Sequence, residues 1–139
     1  MLTGDDVNLL ERVAPDVLDI QDDDRWFARY LQNGASTFLV AAIAGRQMVG
    51  QVSASLNHHP DRAPDLYVDD LAVTPAWRRR GIARRLLDKA SEIGRGLGCA
   101  QMWIVTEEDN DEARALYQSR GAEPTAIVMY EYNLADPAD

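Results

Sequence analysis

The fold is decided by residues 69–83, which read DDLAVTPAWRRRGIA in a chain of 139 residues. The first part, DLAV, has the character of a strand end and is stopped by Thr74 and Pro75, because proline cannot donate to a strand ladder. From about Arg80 the apolar residues repeat at the spacing of one helix face. The stretch therefore predicts a strand, a tight basic turn and an amphipathic helix that begins at the turn.

The turn has the properties of a site for a phosphate-bearing ligand. The first amides of a helix lack partners within the helix and together carry a partial positive charge. A diphosphate can accept hydrogen bonds from them while neighbouring arginines add charge-assisted bonds. Gly81 allows the backbone to approach a ligand closely, and Ala83 keeps the adjacent wall low. The spacing matches neither a Walker loop nor the G-x-G-x-x-G fingerprint.

The rest of the chain divides into short periodic segments separated by turn residues. The predicted elements are helices before residue 34, strands at residues 37–43, 48–56 and 66–73, a helix from residue 80, a short buried strand at 100–105, a helix at 111–120 and a last strand at 125–134. This order predicts a single domain, residues 1–139, of the α+β class. We expect a central mixed, mostly antiparallel sheet flanked by helices on both faces.

Composition and length exclude several classes of protein. A single cysteine cannot form an internal disulfide or a cysteine metal cluster, and His58 and His59 lack ligand partners at metal spacing, so we expect no metal. The longest apolar run has seven residues, whereas a membrane span needs about 20. The first residues lack the features of a secretory signal. We therefore expect a cytoplasmic protein with no membrane partner.

The charge is negative overall and unevenly spread. The net charge of −9 argues against a general nucleic-acid binder. Residues 78–95 hold seven of the 14 basic side chains and two of the 23 acidic ones, so this segment carries +5 and the rest of the chain −14. An anionic ligand at the basic segment and a cationic one elsewhere suit this division. A solvated basic helix on an acidic protein is the alternative.

Two motifs in this order resemble the GNAT superfamily of acetyl-coenzyme A-dependent N-acyltransferases. Residues 78–83, RRRGIA, match the superfamily's pyrophosphate motif Q/R-x-x-G-x-G/A, and residues 110–117, NDEARALY, match its N-x-x-A-x-x-L-Y pattern. The resemblance covers residues 37–134. Within the superfamily the chain is most similar to the aminoglycoside 3-N-acetyltransferases. These open with a strand before the first helix, of which only Met1 and Leu2 remain here.

The resemblance implies a role for individual residues of this chain. The diphosphate of the co-substrate acetyl-coenzyme A would bind at Arg78, Arg79, Arg80, Gly81, Ile82, Ala83 and Arg84. The pantetheine arm would pair with the strand residues Leu71, Ala72 and Val73 and contact the second motif at Asn110 and Ala113. Tyr117 would lie near the sulfur and protonate the leaving thiolate. Alternatively, Tyr117 packs its ring into the core.

Asp70 is the candidate residue on the side of the acceptor amine. Acetyl transfer needs a neutral amine, so a nearby group must accept a proton directly or through water. Adjacent strand residues are expected to face opposite sides of a sheet, so Asp69 should point away from Asp70. The resemblance to the aminoglycoside enzymes places Asp70 in the cleft. It would act there as a base or only bind the ammonium group of the substrate.

The resemblance implies an N-acetyltransferase that moves acetyl to a primary amine of a small polycationic acceptor by direct attack in a ternary complex. The acidic loop at residues 107–112 would attract a polycation, and the alternative is a solvated acidic loop without a ligand. The alternatives are a peptide, protein or polyamine acetyltransferase, and a module that senses acyl-coenzyme A without turnover. A homodimer is a common assembly in the superfamily.

Overall fold

The computed structural model describes residues 1–2, 12–19 and 25–135. Part of the segment before residue 34, for which helices are predicted, lies outside the described residues. The described residues form these elements in chain order: α1 Arg25–Leu31, β1 Thr37–Ala44, β2 Gln47–Asn57, β3 Asp65–Val73, a 3-10 helix Pro75–Trp77, α2 Ile82–Gly96, β4 Gln101–Ile104 and α3 Asp111–Ser119.

The four strands form one sheet in the order β1-β2-β3-β4. β1 pairs with β2 and β2 with β3 in antiparallel fashion, whereas β3 and β4 are parallel. β1 and β2 are joined by the two residues Gly45 and Arg46, and Gly45 has a φ of 62°, as short hairpin turns require. The predicted mixed, mostly antiparallel sheet is confirmed.

The helices α1 and α2 pack on opposite faces of this sheet. Leu39 of β1 packs against Phe27 and Leu31 of α1. Its neighbour Val40 instead lines a groove that α2 borders with Ile82 and Leu86. Because successive side chains of a strand point to opposite faces, the two helices lie on different sides. The prediction of helices on both faces is also confirmed.

The described chain forms two compact units, Met1–Val105 and Thr106–Asp139. The first contains the sheet with α1 and α2, and the second contains α3. The prediction of a last strand at residues 125–134 is wrong, because these residues have no regular secondary structure. Their apolar side chains are exposed, Leu134 by 92%. Alternation of apolar residues is not sufficient for a strand, because a strand also needs a partner edge.

The short strand predicted at residues 100–105 is present as β4, but the expectation that it is buried is wrong. Trp103 is 43% exposed and Met102 is also exposed. Among the described strands β4 pairs with β3 alone, so one of its edges has no strand beside it. The ring of Trp103 packs on Tyr67 with a centroid separation of 4.3 Å.

Candidate active site

The predicted strand, turn and helix are present at the basic segment. β3 ends at Val73, the 3-10 helix follows, and α2 begins at Ile82 after the turn. Arg79 and Gly81 both adopt left-handed backbone conformations, with φ of 64° and 78°. A left-handed non-glycine residue is uncommon, and such conformations concentrate at functional sites.

The first turn of α2 leaves its amides directed out of the helix. Gly81 occupies the N-cap position and has no side chain to accept from them. The first described bond within the helix joins the amide of Arg85 to the carbonyl of Gly81 at 3.1 Å. The amides of Ile82, Ala83 and Arg84 precede that bond. They can therefore donate to an anion placed at the helix start.

Two of the arginines make contacts that shape the turn. Nε of Arg78 donates to the carbonyl of Val73 at 2.9 Å. The guanidinium of Arg80 lies 4.5 Å from the centroid of the Trp77 ring, a cation–π contact. Arg79, Arg80 and Arg84 are exposed around the helix start. The turn is thus positively charged and is stabilised by contacts among its own residues. Nε of Arg78 is already bonded to the carbonyl of Val73.

β3 leaves part of its outer edge unpaired where it approaches the turn. The ladder with β4 covers the pairs from Asp65 to Val68. Residues 69–73 continue beyond that ladder and, among the described strands, pair only with β2. The three residues predicted to hold the pantetheine arm lie in this segment: Leu71, Ala72 and Val73. Apart from the carbonyl of Val73, which accepts from Arg78, the backbone groups on this edge can form strand-like hydrogen bonds with an extended ligand.

A β-bulge changes the direction of the two aspartates on β3. Ser53 of β2 pairs with Asp70, but the next residue, Ala54, pairs with Val68, so Asp69 is an extra residue in β3. The hydroxyl of Ser55 donates to Oδ2 of Asp69 at 2.5 Å. The amide of Gln51 donates to Oδ2 of Asp70 at 2.7 Å.

Asp69 and Asp70 therefore lie on one face of the sheet. Ser55 and Gln51 are four residues apart on β2 and share a face, and each bonds one of the two carboxylates. The expectation that Asp69 and Asp70 face opposite sides is wrong. The alternation rule assumes a regular strand, and the extra residue of a bulge interrupts it.

Gln51 connects Asp70 to the interior. It is fully buried, and its Nε2 also donates to the carbonyl of Val17 at 3.1 Å. Its Oε1 is buried and has no hydrogen-bond partner among the described residues. A buried polar group of this kind is retained at a cost, which is typical of a functional site. The sequence contained a signal, since a glutamine interrupts the apolar part of β2.

Tyr30 joins α1 to the same face of the sheet. Its hydroxyl lies 2.8 Å from the carbonyl of Phe38 on β1 and 3.0 Å from that of Ala54 on β2, and accepts from the amide of Ala54 at 3.1 Å. Burial, followed by the charge of Asp69, raises the pKa of Tyr30. Tyr30 is therefore a neutral hydrogen-bonding residue near Asp69, which sequence reasoning missed.

The second motif forms α3 and is described within its own unit. The side chain of Asn110 caps the helix by accepting from the amide of Ala113 at 3.1 Å. Tyr117 is half-buried near the end of the same helix. Asp111 and Glu112 add acidic side chains to the first turn, which suits the helix dipole. The predicted residues Asn110, Ala113 and Tyr117 are thus brought onto one helix.

The chain belongs to the acetyltransferase (GNAT) family, whose model matches residues 7–122. It is 28% identical over 93 residues to the aminoglycoside N(6')-acetyltransferases type 1 of Salmonella typhimurium and Salmonella enteritidis. Each match covers 64% of this chain and 64% of the relative, so the chain spans just under two thirds of the length of these curated relatives.

Solved structures of aminoglycoside acetyltransferases have the same fold. AAC(6')-Iy in complex with CoA superposes with a TM-score of 0.68 at 26% identity, over 76% of this chain and 81% of that one. An enzyme from an uncultured soil metagenomic sample, in complex with sisomicin, reaches a TM-score of 0.83 at 17% identity, over 96% and 93% of the two chains. The predicted family is confirmed, whereas the 3-N subfamily stays a prediction.

Neither a metal site nor a membrane-spanning helix is found among the residues that the structure describes. In the ranges that it describes, no group of three or more histidine, cysteine, aspartate or glutamate side chains could hold a metal ion. Among the described helices, none has the length and apolar character needed to cross a bilayer.

Proposed function

We propose that the chain is an N-acetyltransferase that moves the acetyl group of acetyl-coenzyme A to a primary amine of a small polycationic acceptor of the aminoglycoside type. It would act as one domain, residues 1–139. The observation that carries the proposal is the junction of β3 and α2. An unpaired strand edge leads there, through the 3-10 helix and the basic turn, to a helix start whose amides have no side-chain cap.

This junction fits the two halves of coenzyme A. The diphosphate would accept from the amides of Ile82 and Ala83, and the exposed guanidiniums of Arg79, Arg80 and Arg84 would add charge. The pantetheine arm would extend along Leu71, Ala72 and Val73. An amide of this edge would donate to the thioester carbonyl, where negative charge develops during transfer.

The acceptor would bind on the side of Asp70. This carboxylate is exposed on the face that carries α1, and the chain outside the basic segment has a charge of −14. Both features suit an acceptor with several ammonium groups. The curated relatives are named as aminoglycoside acetyltransferases, and one solved relative holds sisomicin.

The chemical step would be a direct transfer. The amine nitrogen forms a bond to the thioester carbon, and the carbon–sulfur bond breaks. The proton of the amine passes to the side of the site that carries Asp70, directly or through water. Tyr117 would return a proton to the thiolate. An acyl-enzyme through the single cysteine is disfavoured, since burial and then the charge of Asp65 raise the pKa of the Cys99 thiol. This supports a ternary complex.

The proposal is tested by thiol release from acetyl-coenzyme A with a panel of aminoglycosides, polyamines, amino acids and peptides. We expect turnover with aminoglycosides and little with neutral amines. Preference for peptides would make the chain a peptide acetyltransferase, and coenzyme A binding without turnover on any amine would make it a sensor. Sedimentation of the active enzyme would test for the homodimer that the family resemblance implies.

The position of acetylation is a separate part of the proposal. The sequence resembles 3-N-acetyltransferases, while the curated relatives carry N(6') in their names. We propose the 3-N position, to be assigned by NMR of a product made from an acceptor with both amines. Acetylation at the 6'-amine would overturn the 3-N assignment and leave the acetyltransferase proposal intact.

A further inference from the structure

The bulge in β3 provides two carboxylates at the acceptor side where a regular strand would provide one. Asp69 and Asp70 lie on the face that carries α1, and both are exposed. They are close enough for the charge of Asp70 to act on Asp69. Acetyl transfer to a polycation requires two functions of the residues at the acceptor side: they must bind ammonium groups and remove a proton.

The hydrogen-bond partners of the two carboxylates differ in what they permit. Nε2 of Gln51 can only donate, so Oδ2 of Asp70 must remain an acceptor. The hydroxyl of Ser55 can donate or accept, so it can stay bonded to Asp69 in either protonation state. Gln51 is buried and bonded to Val17, which fixes the orientation of Asp70. The Gln51 contact therefore needs an accepting oxygen on Asp70, whereas the Ser55 contact is compatible with both protonation states of Asp69.

We propose that Asp69 is the carboxylate that accepts the proton of the attacking amine, while Asp70, positioned by Gln51, anchors the ammonium groups of the acceptor. The inference rests on the proposed acetyltransferase function and assigns the roles within its acceptor site. As the amine nitrogen bonds to the acetyl carbon, its proton moves to the carboxylate of Asp69. The carbon–sulfur electron pair leaves on the thiolate, and Asp69 later releases the proton to solvent.

The electrostatic surroundings of Asp69 agree with this role. Partial burial raises its pKa, the Ser55 hydrogen bond lowers it, and the charge of Asp70 raises it again, with a raised value as the result. A base gains strength as its pKa rises toward the working pH. The titratable groups that face Asp69 from the described elements are Asp70 on β3 and Tyr30 on α1, whereas β2 contributes the uncharged Ser55.

The test compares Asp69→Asn and Asp70→Asn in steady-state kinetics across pH. We expect Asp69→Asn to lower kcat by about 10²–10⁴-fold, with partial recovery at alkaline pH where more of the amine is neutral. The acceptor KM should change only a few-fold. Asp70→Asn should raise the acceptor KM about tenfold or more and leave kcat within a few-fold. Asp61→Asn, which removes a carboxylate from an exposed loop, is the matched control.

The pH dependence of activity distinguishes a proton-accepting Asp69 from one with a purely structural role, because only the first would set the acidic limb of the profile. Activity falls as pH drops through the pKa of the base. Asp70→Asn removes a repelling charge, so this acid limb should move to lower pH. The Ser55 hydrogen bond is stronger to the ionised carboxylate than to the neutral acid, so Ser55→Ala should move the limb to higher pH. In the free protein, the carboxyl ¹³C resonance of Asp69 should show the same two shifts whether or not any acceptor is present.

Wild-type kcat and pH profile in a folded Asp69→Asn protein would overturn the inference, as would loss of the acid limb in Asp70→Asn. Melting temperature and coenzyme A affinity show whether each variant is folded. If Asp69→Asn does not fold, an unmoved limb and resonance in Ser55→Ala overturn the inference instead. A wild type that binds coenzyme A but acetylates no amine overturns the proposed function itself, and the role of Asp69 with it.

Discussion

Replacing Gly50 by alanine tests how closely α2 must lie against the sheet for coenzyme A to bind. A Cβ added at Gly50 would lie 3.2 Å from the carbonyl oxygen of Ala72, 3.3 Å from Cγ2 of Ile82 and 3.3 Å from Cδ1 of Leu86. Carbon atoms prefer about 3.5–4.0 Å, so each neighbour must retreat by a few tenths of an ångström. The carbonyl belongs to β3, so the displacement falls mainly on the first turn of α2.

The magnitude follows from two opposing effects. Overpacking a close-packed core costs about 1–3 kcal/mol, while replacing a glycine reduces the entropy of the unfolded chain by the equivalent of about 0.4–1 kcal/mol. We expect a net loss of about 1–2 kcal/mol in the free energy of unfolding. At this chain length each kcal/mol corresponds to roughly 3–5 °C in Tm. Because the amides at the start of α2 shift from the β3 edge, the coenzyme A Kd should rise about three- to tenfold.

The assay is thermal melting together with calorimetric titration of coenzyme A. Gly34→Ala is the matched control, since no atom lies within 4 Å of its added Cβ and its backbone is not left-handed. It should change stability by less than about 0.5 kcal/mol and leave coenzyme A affinity unchanged. A Gly50→Ala protein with the melting temperature and affinity of the wild type would refute the argument that this contact sets the position of α2.

Three further predictions concern the proposed site. Gly81→Ala should raise the coenzyme A Kd about tenfold, because a φ of 78° is strained for alanine. Asparagine tolerates this conformation, so Gly81→Asn should be more stable than Gly81→Ala. Equal binding of coenzyme A by the wild type and both variants in calorimetry would contradict the assignment of the turn. Tyr117→Phe should slow acetyl transfer about 10²-fold or more while coenzyme A affinity stays within a few-fold, and unchanged single-turnover rates would remove Tyr117 as the proton donor. Added salt should raise the acceptor KM, because exposed charges are screened over about 10 Å at 0.1 M; a KM that is constant from low to high salt would argue against capture by the acidic surface.

The sequence predicted the central fold because its signals are local. The proline after β3, the glycine at the start of α2 and the change from strand to helix period all lie within the 15 residues 69–83. The strands at residues 37–43 and 48–56 are predicted for the same reason, since turn residues around Gly45 separate two apolar runs. Each of these signals depends only on neighbouring residues.

The features that were missed depend on pairing between distant segments. The bulge at Asp69 is a property of the register between β2 and β3, and nothing in the order of the residues marks it. The exposure of Trp103 depends on which strand lies beside β4. Residues 125–134 have the composition of a strand, but a strand needs a partner edge as well as suitable residues. A single sequence shows which residues suit a strand but not which strand they pair with.

The placement of α1 and α2 on opposite faces of the sheet has a consequence for how such a protein can change over generations. The residues proposed to meet the acceptor, Asp69 and Asp70, share the α1 face with Gln51 and Ser55, whereas Gly50 and Val40 face α2. A mutational library at the polar positions of the α1 face can therefore sample new acceptors while the coenzyme turn stays as it is. The exposed carboxylates of Asp69 and Asp70 lie on a different face of the sheet from Gly50, which contacts α2.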